Sequence, residues 1–297
     1  MNYFVWVCHG VGLNEWRKVL FLYLKYKDMK NLTLTLYYLL AIGALLSLFR
    51  AGSAQENRSI DASYPIGVQK LMAAYPSHVK DYKEGYLIFH DRTQMLYDDG
   101  QNKSYLMLLE DSDIQDMFAY PYPKERQTSP PEDKHDPGRI RNEAFFKKIY
   151  GQSEDEVKQH LTEIAWCPQT VGQTLRVTTI NGVDKQLLKI SEQLDNHPEW
   201  ADFIRAMGSG FNWRVIAGTD RLSAHSFGIA IDLSRAYSDY WLRDYNTADE
   251  SVPITYKNRF LLEIVEIFEQ HGFIWGGKWY HYDTMHFEYR PELLVEL

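Results

Sequence analysis

Residues 223–232 read SAHSFGIAID, and they are followed later in the chain by the tetrapeptide DTMH, from Asp283 to His286. The first segment supplies an imidazole from His225 and a carboxylate from Asp232, and the second supplies another imidazole from His286. Three such ligands, with a fourth position open to water, are typical of a catalytic Zn²⁺. Asp283 adds a carboxylate that can take the proton of that water. The spacing therefore predicts one metal centre.

A strand predicted over residues 228–233 explains this spacing. Asp232 lies near its end, and His225 lies on the turn that enters it, so one short segment can bring both side chains to a common point. Gly228 permits a sharp turn between them. His286 has to come from a distant segment, so the site depends on the tertiary fold.

Glu288 follows His286 by two residues, on the second predicted strand. Side chains two apart on a strand point to the same face, so Glu288 can hold the histidine ring in place from behind. An edge-strand acid in solvent is the alternative interpretation, and the sequence leaves both open.

Along the rest of the chain, the hydrophobic pattern predicts helices together with short strands that are not adjacent in sequence. Helices are predicted over residues 64–75, 142–150, 154–164, 183–194 and 258–271. Strands are predicted over residues 86–89, 94–100, 175–179, 213–217, 228–233 and 285–289. This order predicts an α+β fold with a small, mainly antiparallel sheet and flanking helices.

A proline-rich segment divides the chain. Residues 120–138, YPYPKERQTSPPEDKHDPG, are predicted to form a loop or linker. It separates a smaller N-terminal α+β part, residues 60–119, whose role the sequence does not reveal, from residues 140–297, which carry the metal motif. Acids within residues 111–116 lack the glycine and terminal glutamate of a calcium loop and indicate a solvated helix start.

The N-terminus resembles a targeting segment. An apolar run over residues 32–49 ends in small residues, so a signal peptide starting at Met29 and cleaved after Ala54 is predicted. Residues 1–28 are then an upstream extension from a misplaced start codon, or a cytoplasmic tail. We therefore expect an exported protein, periplasmic or extracellular. An uncleaved membrane anchor is the alternative, since the run approaches the roughly 17-residue minimum for a membrane span.

Charge and cysteine content limit the partners. The whole chain has net charge −8; without residues 1–54, which hold six basic and two acidic residues, 26 basic and 38 acidic residues remain, for a net charge of −12. Proteins bind nucleic acid mostly by neutralising its phosphates with basic side chains. Because this chain has a net negative charge, we expect no nucleic-acid partner. Of the two cysteines only Cys167 lies in the exported part, so no intramolecular disulfide is expected there.

The pattern Ser-x-His-x₆-Asp with a later Asp-x-x-His resembles the LAS metallopeptidases, and most closely their VanY-like D-alanyl-D-alanine carboxypeptidases and the related L-alanyl-D-glutamate endopeptidases. The resemblance covers roughly residues 181–290. It implies a LAS or hedgehog-like peptidase fold over residues 140–297, with one Zn²⁺ bound by His225, Asp232 and His286. It also implies that Asp283, where some relatives have Glu, is the general base.

The resemblance implies further contacts with substrate. Ser223 matches a position that helps hold the substrate. An arginine that polarises the scissile carbonyl or holds a substrate carboxylate is assigned to Arg214 in preference to Arg221, which is kept as a substrate contact. No covalent intermediate is required, so neither Ser223 nor Cys167 is expected to act as a nucleophile.

Two aromatic residues before the second motif complete the predicted site. Trp279 is expected to form a wall of the substrate groove, although packing in the core is an equally common role for a tryptophan. His281 has no standard ligand spacing to His286, so we interpret it as a residue of the cleft wall or as a support for a ligand.

The resemblance implies hydrolysis of peptide bonds in peptidoglycan stem peptides, without nucleic acid and without stable membrane insertion after signal cleavage. The bond is either D-Ala-D-Ala, in a carboxypeptidase, or L-Ala-D-Glu, in an endopeptidase. Two alternatives are a non-catalytic zinc-bearing binding module of the cell envelope, as in the related hedgehog domain, and a structural envelope protein with a fortuitous cluster. The presence of Asp283 favours the enzyme, because a binding module has no need of a general base.

Overall fold

The computed structural model describes residues 60–297. The predicted signal peptide, its cleavage after Ala54, the upstream extension and the alternative membrane anchor lie outside these residues. Within residues 60–297, no helix combines the length and apolar character needed to cross a membrane.

A helix and a three-stranded antiparallel meander open the described chain. Helix α1 is Ile66–Ala74, and the strands are β1 Val79–Lys83, β2 Tyr86–Phe89 and β3 Gln94–Leu96, in the order β1-β2-β3. The predicted helix and the two predicted strands are confirmed. Strand β1 was not predicted, because its sequence VKDYK lacks a clear apolar alternation and its pairing with β2 is irregular between Val79 and Asp81.

The middle of the chain forms helices around a two-stranded sheet. The elements are α2 Tyr105–Glu110, α3 Glu143–Tyr150, α4 Glu154–Gln159, β4 Leu161–Trp166, β5 Gln173–Thr178, α5 Val183–Leu194 and α6 Ala201–Ile204. The Asn142 side chain caps α3 by accepting a hydrogen bond from the Phe145 N–H at 2.8 Å.

The prediction of one helix over residues 154–164 is wrong in its second half. Helix α4 ends at Gln159, and β4 pairs in antiparallel register with β5. In β4 the buried residues Ile164 and Trp166 alternate with exposed neighbours, which is the two-residue period of a half-buried strand.

A second three-stranded antiparallel sheet carries the metal motif. After α7 Trp241–Tyr245 and α8 Leu262–Gln270, the chain forms β7 Phe273–Trp275, β8 His286–Tyr289 and α9 Pro291–Leu294. The sheet order is β6-β8-β7, with β6 at Ala230–Asp232. Its register places Asp232 opposite His286. The α+β class with small antiparallel sheets is therefore confirmed.

Two other boundaries differ from the predictions. The predicted strand over residues 213–217 is wrong, because this segment forms only an isolated bridge between Val215 and Leu222. The predicted helix over residues 258–271 begins later, at Leu262.

One hydrophobic core spans both sides of the proline-rich segment. Residues 60–297 form one compact unit. Tyr75 of α1 contacts Phe145 of α3 with ring centroids 5.4 Å apart, and the same core contains Phe227 and Phe287. The proline-rich segment is a loop held against the C-terminal region, where Lys278 Nζ donates hydrogen bonds to the carbonyls of residues 123 and 125.

Gly228 closes the turn that presents His225. A 3₁₀ turn over Ala224–Phe227 ends at Gly228, whose φ of 67° is in the left-handed region. A Cβ there would lie 3.0 Å from the Thr178 backbone nitrogen and 2.8 Å from a Leu161 methyl carbon. The close approach is fixed by a 3.0 Å hydrogen bond from the Thr178 N–H to the Gly228 carbonyl. Only glycine satisfies both constraints.

This geometry predicts that Gly228→Ala destabilises the protein more than Gly100→Ala. Gly100 has a similar φ of 71°, but nothing lies within 4 Å of a Cβ at that position. Gly100→Ala should cost about 1–2 kcal/mol through backbone strain alone. Gly228→Ala should cost at least about 1 kcal/mol more because the added carbon also overpacks its surroundings. Urea unfolding of both variants measures the difference, and equal losses would contradict the steric argument.

Candidate metal centre

Three predicted ligands meet at one point of the structure. The sheet register puts Asp232 of β6 beside His286 of β8, and the turn before β6 brings in His225. Asp232 Oδ1 lies 3.2 Å from His225 Nε2 and 2.9 Å from His286 Nδ1. One donor atom from each residue lies within 4.8 Å of the other two, a spacing that one metal ion can bridge.

The His225 ring is held so that one nitrogen is free. Its Nδ1 lies 2.8 Å from the Gly210 carbonyl oxygen, which can only accept, so Nδ1 carries the proton and Nε2 keeps a lone pair. This Nε2 is buried and makes no hydrogen bond of acceptable geometry among residues 60–297, although Asp232 Oδ1 lies 3.2 Å away. Because a buried polar atom without a partner is costly, the arrangement fits a metal ligand.

The His286 ring is oriented by a different acceptor. Its Nε2 lies 3.1 Å from Glu288 Oε2 and its Nδ1 lies 2.9 Å from Asp232 Oδ1, so each nitrogen can donate to a carboxylate. A metal ion at Nδ1 would replace the proton there, while Glu288 keeps the proton on Nε2. Glu288 is fully buried, which makes the alternative of a solvent-exposed edge acid wrong. The sequence argument that placed Glu288 behind His286 is confirmed.

Glu288 is itself fixed by two guanidinium groups. Arg141 donates to Glu288 Oε2 and Arg290 to Oε1, each at 2.9 Å. Burial alone would raise the pKa of Glu288, but the charge of Arg141 and the bond from His286 hold that pKa well below its usual range. Arg290 also binds Glu292, which accepts a 2.7 Å bond from the Tyr75 hydroxyl. A buried polar chain thus links helix α1 to a candidate metal ligand.

The electrostatics of the centre favour a positive charge. Burial lowers the pKa of His286, but hydrogen bonds to the carboxylates of Asp232 and Glu288 outweigh it and raise that pKa to about 10. Burial raises the pKa of Asp232, but the two histidines hold it well below its usual range. A cation, whether a proton or a metal ion, is therefore stabilised between these groups.

Asp283 faces the same cleft beside the candidate ligands. Its Oδ1 is enclosed and has no hydrogen-bond partner among residues 60–297, while its backbone carbonyl accepts the His286 N–H at 3.2 Å. Enclosure and the negative charge of Asp232 raise the pKa of Asp283 to about 7, against the opposing effect of the histidines. A carboxylate with a free oxygen at this position can accept a proton from a bound water.

The cleft has a volume of about 790 Å³ and is lined by the predicted ligands, by Asp283 and by the predicted substrate contacts, while Glu288 lies behind it. Ser223 is buried, and its Oγ lies 3.4 Å from the His225 backbone N–H. Arg214 is exposed, and within residues 60–297 its guanidinium donates one hydrogen bond, to the carbonyl of its neighbour Val215 at 3.4 Å. Arg221 is largely buried in the wall.

Trp279 lies between the core and the cleft. It is almost fully buried, and its indole N–H donates a 2.5 Å bond to the Pro137 carbonyl, as a core residue does. It also lines the cleft, with its ring centroid 5.6 Å from that of His286.

His281 lies in a separate cluster on the cleft wall. Its Nδ1 is 2.6 Å from Asp136 Oδ2, and Glu250 Oε2 is 3.3 Å from its Nε2. Arg139 donates to both carboxylates, and the Tyr105 hydroxyl donates to Asp136. The guanidinium already supplies the cation that a metal would bring, so this cluster is an ion-pair network.

Sequence reasoning missed four members of this network. Two of them, Asp136 and Arg139, lie at the end of the proline-rich segment. Glu250 comes from a distant loop, and Tyr105 comes from α2. The one usable signal was the charged HDPGR run at residues 135–139, at the end of the proline-rich segment.

A third group of acids also contains its own cation. Asp98, Asp99 and Asp113 lie close together. Lys103, whose side chain is 1% exposed, places Nζ 2.7 Å from Asp99 and Asp116 and 3.5 Å from Asp113. A lysine at the centre of these carboxylates neutralises them without a metal. The prediction of a solvated helix start over residues 111–116 is wrong for Asp113 and Asp116, whose side chains are largely buried against Lys103.

Two histidines, an aspartate and a separate acid in one cleft define a candidate metal-dependent hydrolase. Residues 217–289 match the family model described as D-alanyl-D-alanine carboxypeptidase, and the predicted resemblance to VanY-like zinc peptidases is confirmed over that segment. The match includes the three candidate ligands and Asp283. It begins at residue 217, so Arg214 lies outside it. The chain has no match among the curated proteins or among the solved structures compared with it.

We expect the protein to bind one equivalent of Zn²⁺ at the histidine–aspartate centre. His286→Ala should weaken zinc affinity by more than the roughly 10–100-fold that follows loss of an outer hydrogen bond. Glu250→Gln, in the network around His281, should leave both affinity and stoichiometry unchanged. Competition with a chromophoric chelator measures both quantities. Two equivalents in the parent protein, with one lost in Glu250→Gln, would show that the second cluster binds metal.

Glu288→Gln should lower zinc affinity about 10–100-fold, because the amide cannot accept from His286 and from both arginines at once. Tyr75→Phe, at the far end of the same chain, is the matched control. It should cost about 1 kcal/mol of stability and leave zinc affinity unchanged. The same chelator competition, with urea unfolding of each variant, separates the two effects. A folded Glu288→Gln variant with parental affinity would contradict a positioning role.

Proposed function

We propose that the protein is a zinc-dependent peptidase that hydrolyses peptide bonds of peptidoglycan stem peptides. The bond is D-Ala-D-Ala, as in a carboxypeptidase, or L-Ala-D-Glu, as in an endopeptidase. The observation that carries this proposal is the buried, unpartnered Nε2 of His225, which converges with His286 and Asp232 beside Asp283. The match of this segment to a carboxypeptidase family supports the reaction class.

The residues fit a single Zn²⁺ held by His225 Nε2, His286 Nδ1 and Asp232. When bound, zinc lowers the pKa of a water molecule and polarises the carbonyl of the scissile bond. Asp283 accepts the proton of the attacking water on its free Oδ1 and returns it to the nitrogen of the leaving amine.

Arg214 and Ser223 act on the substrate in this proposal. The exposed guanidinium of Arg214 reaches the cleft and stabilises the charge that develops on the carbonyl oxygen during attack. Ser223 positions the peptide beside the ligands. Trp279 and Arg221 complete the walls, and His281 supports them through Asp136.

Direct attack by water agrees with the state of the two possible nucleophiles. The Ser223 hydroxyl faces a backbone N–H and has no base in contact among residues 60–297. Cys167 is buried away from the cleft, and burial raises the pKa of its thiol to about 12. Neither side chain is activated, so no acyl-enzyme forms.

The proposed substrate sets the location. Peptidoglycan lies outside the cytoplasmic membrane, so the protein acts in the periplasm or beyond, after cleavage of a signal peptide behind Ala54 and without stable membrane insertion. The N-terminal sequence of the exported protein tests this directly: a mature chain starting at residue 55 supports it, and a retained apolar run indicates a membrane anchor.

Defined stem peptides and purified peptidoglycan should be cleaved by the zinc-loaded protein, with the new termini identified by mass spectrometry. A chelator should abolish cleavage, and added Zn²⁺ should restore it. Asp283→Asn should keep its zinc but lose about 10²–10⁴-fold in kcat, because proton transfer is impaired. Asp249→Asn, which changes an exposed acid of the same cleft, should retain activity. Zinc binding without cleavage of any substrate would instead indicate a binding module.

A further inference from the structure

Tyr240 is paired through the backbone with Asp283, the proposed base. An isolated antiparallel bridge joins the two residues. Two backbone hydrogen bonds flank this bridge, from the Trp241 N–H to the Tyr282 carbonyl at 3.0 Å and from the Thr284 N–H to the Asp239 carbonyl at 2.9 Å. This pattern defines a non-hydrogen-bonded pair, in which the Cα atoms lie about 4.5 Å apart and the side chains share one face. Both side chains therefore line the cleft together.

The hydroxyl of Tyr240 is free, although that of a neighbouring tyrosine is not. Tyr282 donates a 2.9 Å hydrogen bond to Asp244. Tyr240 is half-buried, and its hydroxyl makes no hydrogen bond with any group of residues 60–297. Because a tyrosine side chain is longer than an aspartate side chain, this hydroxyl extends beyond the Asp283 carboxylate. It is therefore available to a ligand of the cleft.

The surroundings keep the Tyr240 hydroxyl protonated. Burial and then the negative charge of Asp283 raise the pKa of Tyr240 above its usual value, against the opposing charges of Arg139 and Arg214. The hydroxyl can therefore donate a hydrogen bond but does not compete with Asp283 for the proton of the water.

The position beside Asp283 places this donor at the reaction centre. A general base has to contact the attacking water, and the oxygen of that water becomes one oxygen of the tetrahedral intermediate. A group on the same face as the base therefore lies next to this intermediate. A hydrogen bond to a negatively charged oxygen is stronger than one to a neutral carbonyl, so such a donor stabilises the transition state more than the bound substrate.

We propose that Tyr240 is a catalytic residue whose hydroxyl donates a hydrogen bond to an oxygen of the tetrahedral intermediate. The inference rests on the proposed peptidase function and adds a residue to its machinery. Tyr240 keeps its proton throughout, while Asp283 carries a proton from the water to the leaving amine. Arg214 remains the charged group that acts on the same intermediate, and Tyr240 adds a neutral donor beside the base.

Tyr240→Phe removes the hydroxyl and keeps the ring. In the zinc-loaded, full-length protein it should lower kcat about 10²-fold with little change in KM, because the hydrogen bond strengthens only in the transition state. Tyr237→Phe is the matched control in the same loop. Tyr237 stacks on Phe203 with ring centroids 4.0 Å apart and does not line the cleft, so this variant should keep parental kinetics. Zinc content and the unfolding midpoint confirm that each variant is folded.

A binding measurement tests the donor without turnover. The probes are two phosphinates, in which PO₂–CH₂ replaces the CO–NH group of D-Ala-D-Ala or of L-Ala-D-Glu, so that charged oxygens surround a tetrahedral centre. The matching reduced amides, with CH₂–NH at the same place, have no oxygen there. In calorimetry, Tyr240→Phe should bind the phosphinate that the parent protein prefers about tenfold more weakly, and the reduced amide equally well. Tyr237→Phe should bind both as the parent does.

The inference is overturned if Tyr240→Phe binds the phosphinate as tightly as the parent, if it weakens phosphinate and reduced amide alike, or if neither phosphinate binds the parent. It is also overturned if the variant changes KM alone, since the hydroxyl would then contact only the bound substrate. A parent protein that cleaves nothing but binds a phosphinate through Tyr240 would retain the donor and reject the proposed peptidase. Cleavage that is unaffected in Tyr240→Phe would reject the donor alone, so the two hypotheses fail separately.

Discussion

The burial of the Glu288 carboxylate determines how the metal centre is built. The carboxylate is fully buried, so it must be met by positive or donor groups on every side. Arg141 and Arg290 supply two of these, and the His286 ring supplies the third. A slip of β8 by one residue would turn both Glu288 and His286 to the opposite face of the sheet, so this contact set also fixes the register against Asp232.

The same requirement ties distant parts of the chain together. Arg290 holds Glu288, donates to the carbonyl of Gly138 at the end of the proline-rich loop, and binds Glu292. Glu292 in turn accepts a hydrogen bond from the hydroxyl of Tyr75, the residue that follows α1. The loop and the N-terminal helix are thus parts of the support for one ligand, although nothing in their composition indicates it. Removing the loop would take the Gly138 carbonyl from Arg290, and removing the N-terminal helix would take the Tyr75 hydroxyl from Glu292, so each loss weakens the support of a buried charge.

The sequence could predict what local spacing determines and little of what tertiary contact determines. His225 and Asp232 lie on one turn and the short strand that follows it, so their convergence follows from the shortness of that segment. His286 came only from its motif, since nothing local brings it to the other two. The false helix extension beyond Gln159 shows that a short apolar run is ambiguous between helix and strand until its partner, β5, is known. Arg139 was not predicted as part of the network because one of its two acidic partners, Glu250, comes from a loop far away in sequence.

The internal cation decides which acidic cluster can take a metal. The group around His281 contains Arg139, and the aspartates near the N-terminal sheet contain Lys103, so in both the carboxylates are neutralised by the chain itself. Asp232 has no lysine or arginine partner within residues 60–297, and its near neighbours are one ring nitrogen of each histidine, at 3.2 Å and 2.9 Å. A centre with ligands of the right type and no resident cation has to obtain its positive charge from outside. That distinction separates the three clusters more sharply than residue type or proximity does.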